Sequence, residues 1–284
     1  MRIISLGWGV QSFALAAMSA LGELPKVDAA IHADTTHERA ETYAFARKWT
    51  PWLEERGVRV VTVKGKTGRL ASVRNDATTS VMIPAFTTYP EGAESGLLRR
   101  QCTHDWKIMP IRRWLQANRR IPTEHPIATE LDKAIGDDFE VTSFKLEKIE
   151  QWLGITLDEV TRMKPSNVQY ISNEYPFIEY LDRPWTRGMV IKWLVENGLE
   201  VPVKSSCIFC PYHDRGTWRE LKLSGNGDWQ KALEVDEAIR DKRPGYRCYL
   251  IPQRIPLIEA DFSNEEDHGQ LSLWGEECSG MCFL

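Results

Sequence analysis

The stretch Arg2 to Ser12, RIISLGWGVQS, decides how this chain is read. Arg2 to Leu6 is an apolar run of strand length, and Gly7 and Gly9 break it. Phe13 to Leu21 then turns alanine-rich and suits a helix. Further out, Asp28 to Ala33 (DAAIHA) reads as a second buried strand, closed by Asp34 and two threonines. Glu38 to Arg56 sets Tyr43, Ala46, Trp49 and Leu53 at helical spacing, with Gly57 as the stop. Val58 to Val63 (VRVVTV) is a β-branched third strand. Strand, helix, strand, helix, strand predicts parallel strands with right-handed crossovers, the start of a doubly wound, mostly parallel α/β sheet.

Beyond Val63 the pattern loosens. Lys64 to Leu98 is rich in Gly, Thr, Ser and Pro and reads as a long excursion over the sheet's carboxyl edge. Ile108 to Asn118 returns to helix, and Ile121 to Phe144 has no clear periodicity. Lys145 to Met163 reads as two helices, broken at Gly154 and restarted by Thr156 in TLDE. Helices are also expected over Arg187 to Asn197, stopped by Gly198, and near Trp229 to Asp241. The expected organisation is a nucleotide-binding core over 1–123, its helical, substrate-facing continuation over 124–200, and a helical, cysteine-bearing region over 201–284.

Composition narrows the classes. With 284 residues and 42% hydrophobic residues, the chain can bury a sizeable core. No apolar run is long enough to span a bilayer, and Met1 leads straight into a strand, so no membrane and a cytoplasmic location are expected. A net charge of -4 argues against coating nucleic acid through bulk charge. Six cysteines in such a compartment point to metal, redox chemistry or packing rather than disulfides.

Gly7 to Ser12 sits where open α/β sheets bind ligands, outside the carboxyl end of a strand. Glycines let phosphate oxygens approach the backbone, the following helix offers unpaired N–H groups, and Ser12 can add a hydroxyl. The loop matches neither GxGxxG nor GxxxxGK[ST]. Asp34, Thr35, Thr36, Glu38 and Thr42 (DTTHERAET) follow the second strand. Arg99, Arg100, Gln101, Cys102 and Thr103 precede Lys107 and Pro110, and GITLDEVTRMKPS (Gly154 to Ser166) and VKSSCIFCPYHDRGTWRELK (Val203 to Lys222) lie further on. In these segments the chain resembles the PP-loop ATP pyrophosphatase superfamily, in its phosphoadenosine-phosphosulfate-reductase-like, adenine nucleotide alpha hydrolase-like branch. Its members carry SGGxDS or GGGxxS after the first strand and R-x-C-T…K-x-x-P later on.

That resemblance implies binding of ATP with magnesium, cleavage between its α and β phosphates, and adenylation of an acceptor or capture of an adenylated sulfur compound. It implies a nucleotide site of Ser5, Gly7, Trp8, Gly9, Gln11, Ser12, Asp34, Thr35, Glu38, Arg99, Arg100, Lys107 and Arg162. Trp8 stands where the loop usually has glycine, and Gln11 where it has aspartate. Read by itself, Asp34 also suits a helix cap or turn, and Arg162 an ion pair with Asp158 or Glu159.

Arg99, Arg100, Lys107, Arg112, Arg113, Arg119 and Arg120 crowd one segment. The first three flank Cys102, and cations favour thiolate, so Cys102 is the candidate catalytic thiol or a ligand, with a buried inert cysteine as the plain alternative. The other arginines also suit a solvated helix face. Cys207-x-x-Cys210 and the pair Cys278 and Cys282 suggest a four-thiolate site for zinc or an iron–sulfur cluster. Cys102, Cys207 and Cys210 form the competing set; sulfur-transferring relatives that thiolate tRNA use such a three-cysteine cluster. Cys248, in YRCYLI, reads as core, and His213 as a hydrogen-bonding residue at a helix start rather than a ligand. Tryptophans 185, 193, 218, 229 and 274 read as packing anchors.

Three functions follow. The first is ATP-dependent adenylation coupled to sulfur transfer onto a nucleobase, tRNA or DNA acceptor, with a separate sulfur donor. The second is phosphoadenosine-phosphosulfate reduction, echoed by Glu277 to Cys282 but without that enzyme's terminal histidine. The third is a non-catalytic nucleotide- and metal-binding module, favoured by Trp8 and Gln11.

Overall fold

The structure, a computed structural model, describes residues 1–65, 81–89, 96–123 and 143–263. Strand β1 (Arg2–Ser5) leads into helix α1 (Val10–Leu21), followed by β2 (Ala29–Asp34), α2 (Ala40–Glu55) and β3 (Val60–Lys64). Short strands β4 (Phe86–Thr88) and β5 (Gly96–Leu97) precede a π-helical turn (Thr103–Ile108) and α3 (Met109–Asn118). Then come β6 (Arg120–Thr123), β7 (Ser143–Leu146), β8 (Ile149–Trp152), a 3-10 segment (Leu157–Arg162) and β9 (Ile171–Glu174). Helices α4 (Arg187–Glu196), α5 (Arg215–Leu223) and α6 (Asp228–Arg240) and strand β10 (Arg247–Tyr249) complete the larger elements.

The main sheet runs β3-β2-β1-β8-β9, and its four pairings are all parallel. Strand alternation sends Ile4, Ala30 and Trp152 to one face, against Phe13, Trp49 and Leu194. Ile3, Ile31 and Ile149 go to the other, against Ile111 and Leu115 of α3. With helices on both faces, this is the doubly wound α/β fold expected. Among the described residues, no helix is long and apolar enough to cross a membrane.

The helical expectation for Lys145 to Met163 is corrected. Ile149 to Trp152 is a strand beside β1, and only Leu157–Arg162 coils, as a 3-10 segment. Glu, Gln and Lys in KLEKIEQWL favour helix intrinsically, but tertiary context overrides that preference. Ile149 and Trp152 are both fully buried, on opposite faces, and Arg2 Nε donates to its register partner Glu150 at 2.7 Å. The unreadable stretch Ile121 to Phe144 falls largely outside the described residues, and its ends pair as β6 and β7. Within the Lys64 to Leu98 excursion, β4 and β5 join β10 in an antiparallel sheet.

That small sheet belongs to a second core. Ile83, Trp106, Phe209, Trp218, Ile239 and Cys248 pack together there, so the cysteine-bearing C-terminal region has a helical hydrophobic centre of its own. Cys248 is fully buried on β10, as its apolar surroundings suggest. Trp193 and Trp218 are buried, and Trp185 and Trp229 pack against the cores, all as anchors; Trp274 lies outside the described residues.

Candidate functional site

Strand β1 is the pivot of the sheet. The chain steps from it through β2 to β3 on one side and reaches β8 and β9 on the other, so a crevice opens past the carboxyl ends of β1 and β8. Gly7 to Ser12 closes one wall of it. Ser12 Oγ accepts from the Gly7 amide at 3.1 Å and donates to the Gly9 carbonyl at 3.3 Å, so this hydroxyl shapes the loop instead of pointing its hydrogen at a ligand. Gly9 caps α1 without a side-chain bond, and no acid sits in the first turn. The amides at that helix start therefore face the crevice with the positive end of the helix dipole behind them.

Trp8 departs from this pattern. Its φ is +59°, the left-handed region that favours glycine, and its indole is 2% exposed, packed among Phe13, His32 and Phe45. Only its backbone is available to the loop. His32 Nδ1 donates to the Leu6 carbonyl at 3.1 Å, and burial lowers the ring's pKa and keeps it neutral.

The crevice is a cleft of about 660 Å³. Lys107, Arg112, Arg162, Lys164, Arg187 and Lys204 line it, against the acids Glu38 and Glu159. The excess is cationic, which suits phosphates. Ser5, Gly7, Gly9, Gln11 and Ser12 also line it. Gln11 joins its walls: Nε2 donates to Glu159 at 3.3 Å, while Oε1 accepts from Arg187 at 3.0 Å. Arg162 pairs with Glu159 and faces the same space. Gly154 brings these walls together, because a Cβ there would meet Gln11 Cβ and the Ser12 nitrogen at 2.9 Å. Backbone cannot yield cheaply, so Gly154→Ala is expected to lower stability by about 1–3 kcal/mol and to push the glycine loop out of place. Urea denaturation, with nucleotide titration alongside, checks this; an unchanged midpoint rules it out.

Asp34 is committed elsewhere. Its Oδ1 accepts from the Thr36 amide at 2.7 Å and the Tyr43 hydroxyl at 2.8 Å, and Lys64 sits 3.2 Å from Oδ2. Burial raises its pKa, yet those three donors together hold it below the ordinary value. The structure thus builds Asp34 into the turn, and Glu38 supplies the carboxylate on the cleft wall. Arg99 is exposed, and Arg100 lies 5.0 Å over the Tyr212 ring. Of the other arginines in that segment, Arg112 lines the cleft and Arg119 covers Tyr170.

Beside the cleft lies a small cavity of about 40 Å³. Cys102, Cys207 and Cys210 all line it, with Thr35, Arg100 and Lys107. Thr103, Lys107 and Ser205 form the wall it shares with the cleft. Glu38 bridges to Cys207 across an isolated β-pair, and Ile208 N donates to the His37 carbonyl at 2.8 Å, which docks the CxxC turn onto the end of β2. Thr35 donates to Glu38 at 3.2 Å, so the Cys207 thiol, 3.4 Å from the same hydroxyl, donates to it. Lys107 Nζ lies 3.3 Å from Glu38. Burial opposes its charge, but the Glu38 carboxylate leads the effects that outweigh burial and raise its pKa.

The expectation that cations make Cys102 a thiolate is corrected. Burial raises its pKa more than Arg100 and Lys107 lower it, and burial together with Glu38 raises Cys207 further. Both are thiols in the free protein. Among the described residues, no three His, Cys, Asp or Glu side chains gather as metal ligands. The set Cys102, Cys207 and Cys210 thus shares a cavity without forming a coordination sphere, and as placed it does not fit zinc or a cluster. Cys278 and Cys282 lie outside the described residues.

No protein-family model matches this chain, and no curated protein does. A solved structure similar to it is the phosphoadenylyl-sulfate (PAPS) reductase from Candida auris, crystallised with phosphate. Identity is 14% and the TM-score 0.41, over 71% of this chain and 74% of that one. A likeness this slight gives no residue a role.

Several residues at the site escape sequence reading. Arg187, Lys204 and Ser205 arrive from segments far along the chain, and Glu159 from a stretch read as helix. The double serine ahead of the CxxC, Ser205 and Ser206, was the available signal. Ser206 Oγ lies 3.0 Å from His213 Nε2, and His213 packs edge-on to Trp218 just before the cap residue Asp214, a hydrogen-bonding role as expected. Burial, then Lys204 and Arg39, push His213 down to about 3. The unfolded chain binds this proton near pH 6.5 and the folded one only near 3, so stability is complete above 6.5 and declines as pH falls toward 3. At pH 5 the loss from this group is about 2 kcal/mol. Urea midpoints at pH 7.5 and 5.0 should separate accordingly, and His213→Gln should narrow the gap; an equal gap in the variant contradicts the assignment.

Proposed function

We propose that this chain is a nucleotide-dependent sulfur transfer enzyme, which adenylates an acceptor with ATP and then replaces the adenylated oxygen by sulfur. One observation supports it above the others: the cationic cleft at the start of α1 and the three-cysteine cavity share the wall of Thr103, Lys107 and Ser205. In this reading the amides of Gly9 to Ser12 and the cleft's lysines and arginines hold the phosphates of magnesium-bound ATP. An acceptor oxygen attacks the α-phosphorus, the bond to the bridging oxygen breaks, and pyrophosphate leaves against the positive charge of Arg162 and Arg187. In the same reading the sheet of the 1–123 core binds the phosphates and the 201–284 region handles the sulfur, with Cys102 contributed from the cap of the π-helical turn.

The sulfur enters as a Cys102 persulfide loaded by a donor. Its terminal sulfur attacks the carbon bearing the adenylate, the C–O bond breaks, and AMP departs. A second thiol, Cys207 or Cys210, then attacks the Cys102 sulfur, releasing the thiolated acceptor and leaving a disulfide for a cellular dithiol to reduce. A nucleobase, free or in tRNA or DNA, is the acceptor class. Incubation of the protein with MgATP, a persulfide donor and tRNA or nucleosides should yield AMP and pyrophosphate in equal amounts. If neither product forms with any acceptor, adenylation is refuted. The alternative is a four-thiolate site of Cys207, Cys210, Cys278 and Cys282 for zinc or an iron–sulfur cluster, which would occupy both resolving thiols; elemental analysis of the anaerobically purified protein tests it.

A further inference from the structure

We infer that Ser205 completes the phosphate cradle at the start of α1, donating its hydroxyl to an oxygen of the nucleotide's phosphate chain. This rests on the nucleotide reading above and adds a residue to it. Ser205 is only 4% exposed, and its Oγ is buried without a hydrogen-bond partner. Buried hydroxyls in native proteins are nearly always paired, so an unpaired one at the wall of a cleft marks where a ligand supplies the partner.

Its position agrees. A methyl group on Gly7 would lie 3.9 Å from Ser205 Oγ, and one on Gly9 3.6 Å from Ser205 Cβ. The serine therefore stands over the two glycines of the loop. Gly9 adopts φ -89° and ψ 173°, open to any residue, and its nearest neighbours are at ordinary contact distance. Neither backbone nor packing demands glycine there. What the missing side chain leaves is space between the loop and Ser205. The uncapped first turn of α1 directs amides into the same region. The flanking residues have other bonds: Lys204 is held by Asp214 at 2.9 Å and Ser206 by His213 at 3.0 Å.

The hydroxyl also lies on the wall of the thiol cavity, so the phosphate it holds is the one beside the sulfur chemistry. An anionic oxygen on a phosphate is the partner.

The experiment compares wild type, Ser205→Ala and Ser206→Ala by thermal unfolding without ligand and by calorimetry with MgATP and with inorganic pyrophosphate. Removing an unpaired hydroxyl should leave the ligand-free Tm of Ser205→Ala unchanged or slightly raised. The same change should weaken MgATP roughly tenfold or more, the usual effect of losing a hydrogen bond to a charged group. Ser206→Ala, which breaks an existing bond, should lower Tm and leave affinity within about twofold. A clear fall in Tm for Ser205→Ala, or ATP affinity equal to wild type, overturns the inference, as does equal weakening by Ser206→Ala. Binding of pyrophosphate but not MgATP by the wild type refutes the nucleotide as occupant. If wild type binds neither, nor a sulfated adenylate, the functional reading and this inference both fall; if only Ser205→Ala behaves as wild type, the functional reading stands.

Discussion

Lys107→Met is expected to destabilise the protein by about 3 kcal/mol and to abolish product formation. Glu38 is the reason. Its side chain is 1% exposed, one carboxylate oxygen lacks a hydrogen-bond partner, and Lys107 lies 3.3 Å from the other. Breaking a buried pair leaves an uncompensated charge, which costs about 3–5 kcal/mol. Lys107 keeps 26% of its own side chain accessible, so water already screens part of the pair and the lower end of that range applies. The same ammonium lines both the cleft and the thiol cavity, so under the proposed function it serves both the phosphates and the sulfur. The double variant Lys107→Met with Glu38→Gln removes both charges and should recover most of the stability but none of the activity. Urea denaturation at pH 7 separates the two effects. A single variant as stable as wild type, or a double variant that regains AMP formation, contradicts this assignment.

The parts of this molecule that sequence made legible are those set by local pattern. Strands β1 to β3 are short apolar runs, α2 repeats its apolar residues every three or four positions, and Gly57 and Gly198 stop helices by adopting positive φ, +80° and +67°. The crevice past β1 follows from the topology those runs imply. What stayed hidden depends on pairing across the chain. Strand β8 is written in helix-favouring residues and becomes a strand because β1 and β9 flank it. Gly154 looks like a helix break, and its actual task is to let β8 approach the first turn of α1. The charge around Cys102 was visible but its burial was not, and burial decides the protonation state. For Ser205 the only sequence signal is the double serine ahead of the CxxC; its significance is an unpaired hydroxyl beside two glycines far from it in sequence.

Trp8 tests whether the glycine loop has been rebuilt or merely decorated. Its left-handed φ of +59° costs a bulky residue about 1–3 kcal/mol. Burying the indole against Phe13 and Phe45, with 2% left exposed, contributes more, since truncating such a ring costs about 3–5 kcal/mol. Packing therefore wins, and the loop keeps a shape that glycine adopts freely. Trp8→Ala should lose the full packing contribution and keep the backbone strain, a drop of about 3–5 kcal/mol. Trp8→Gly loses the same packing but relieves the strain, so it should be more stable than Trp8→Ala by about 1 kcal/mol. That order reverses the usual one, in which alanine is the better replacement inside regular structure. Because the Trp8 indole is buried away from the cleft and only its backbone serves the loop, the glycine variant should also bind MgATP more nearly as wild type does. Chemical denaturation of the two variants gives the order directly. Alanine proving equal or better would mean that the loop relaxes away from the left-handed turn once the indole is gone, and that the ring, rather than the glycine-like backbone, dictates the shape of the glycine loop.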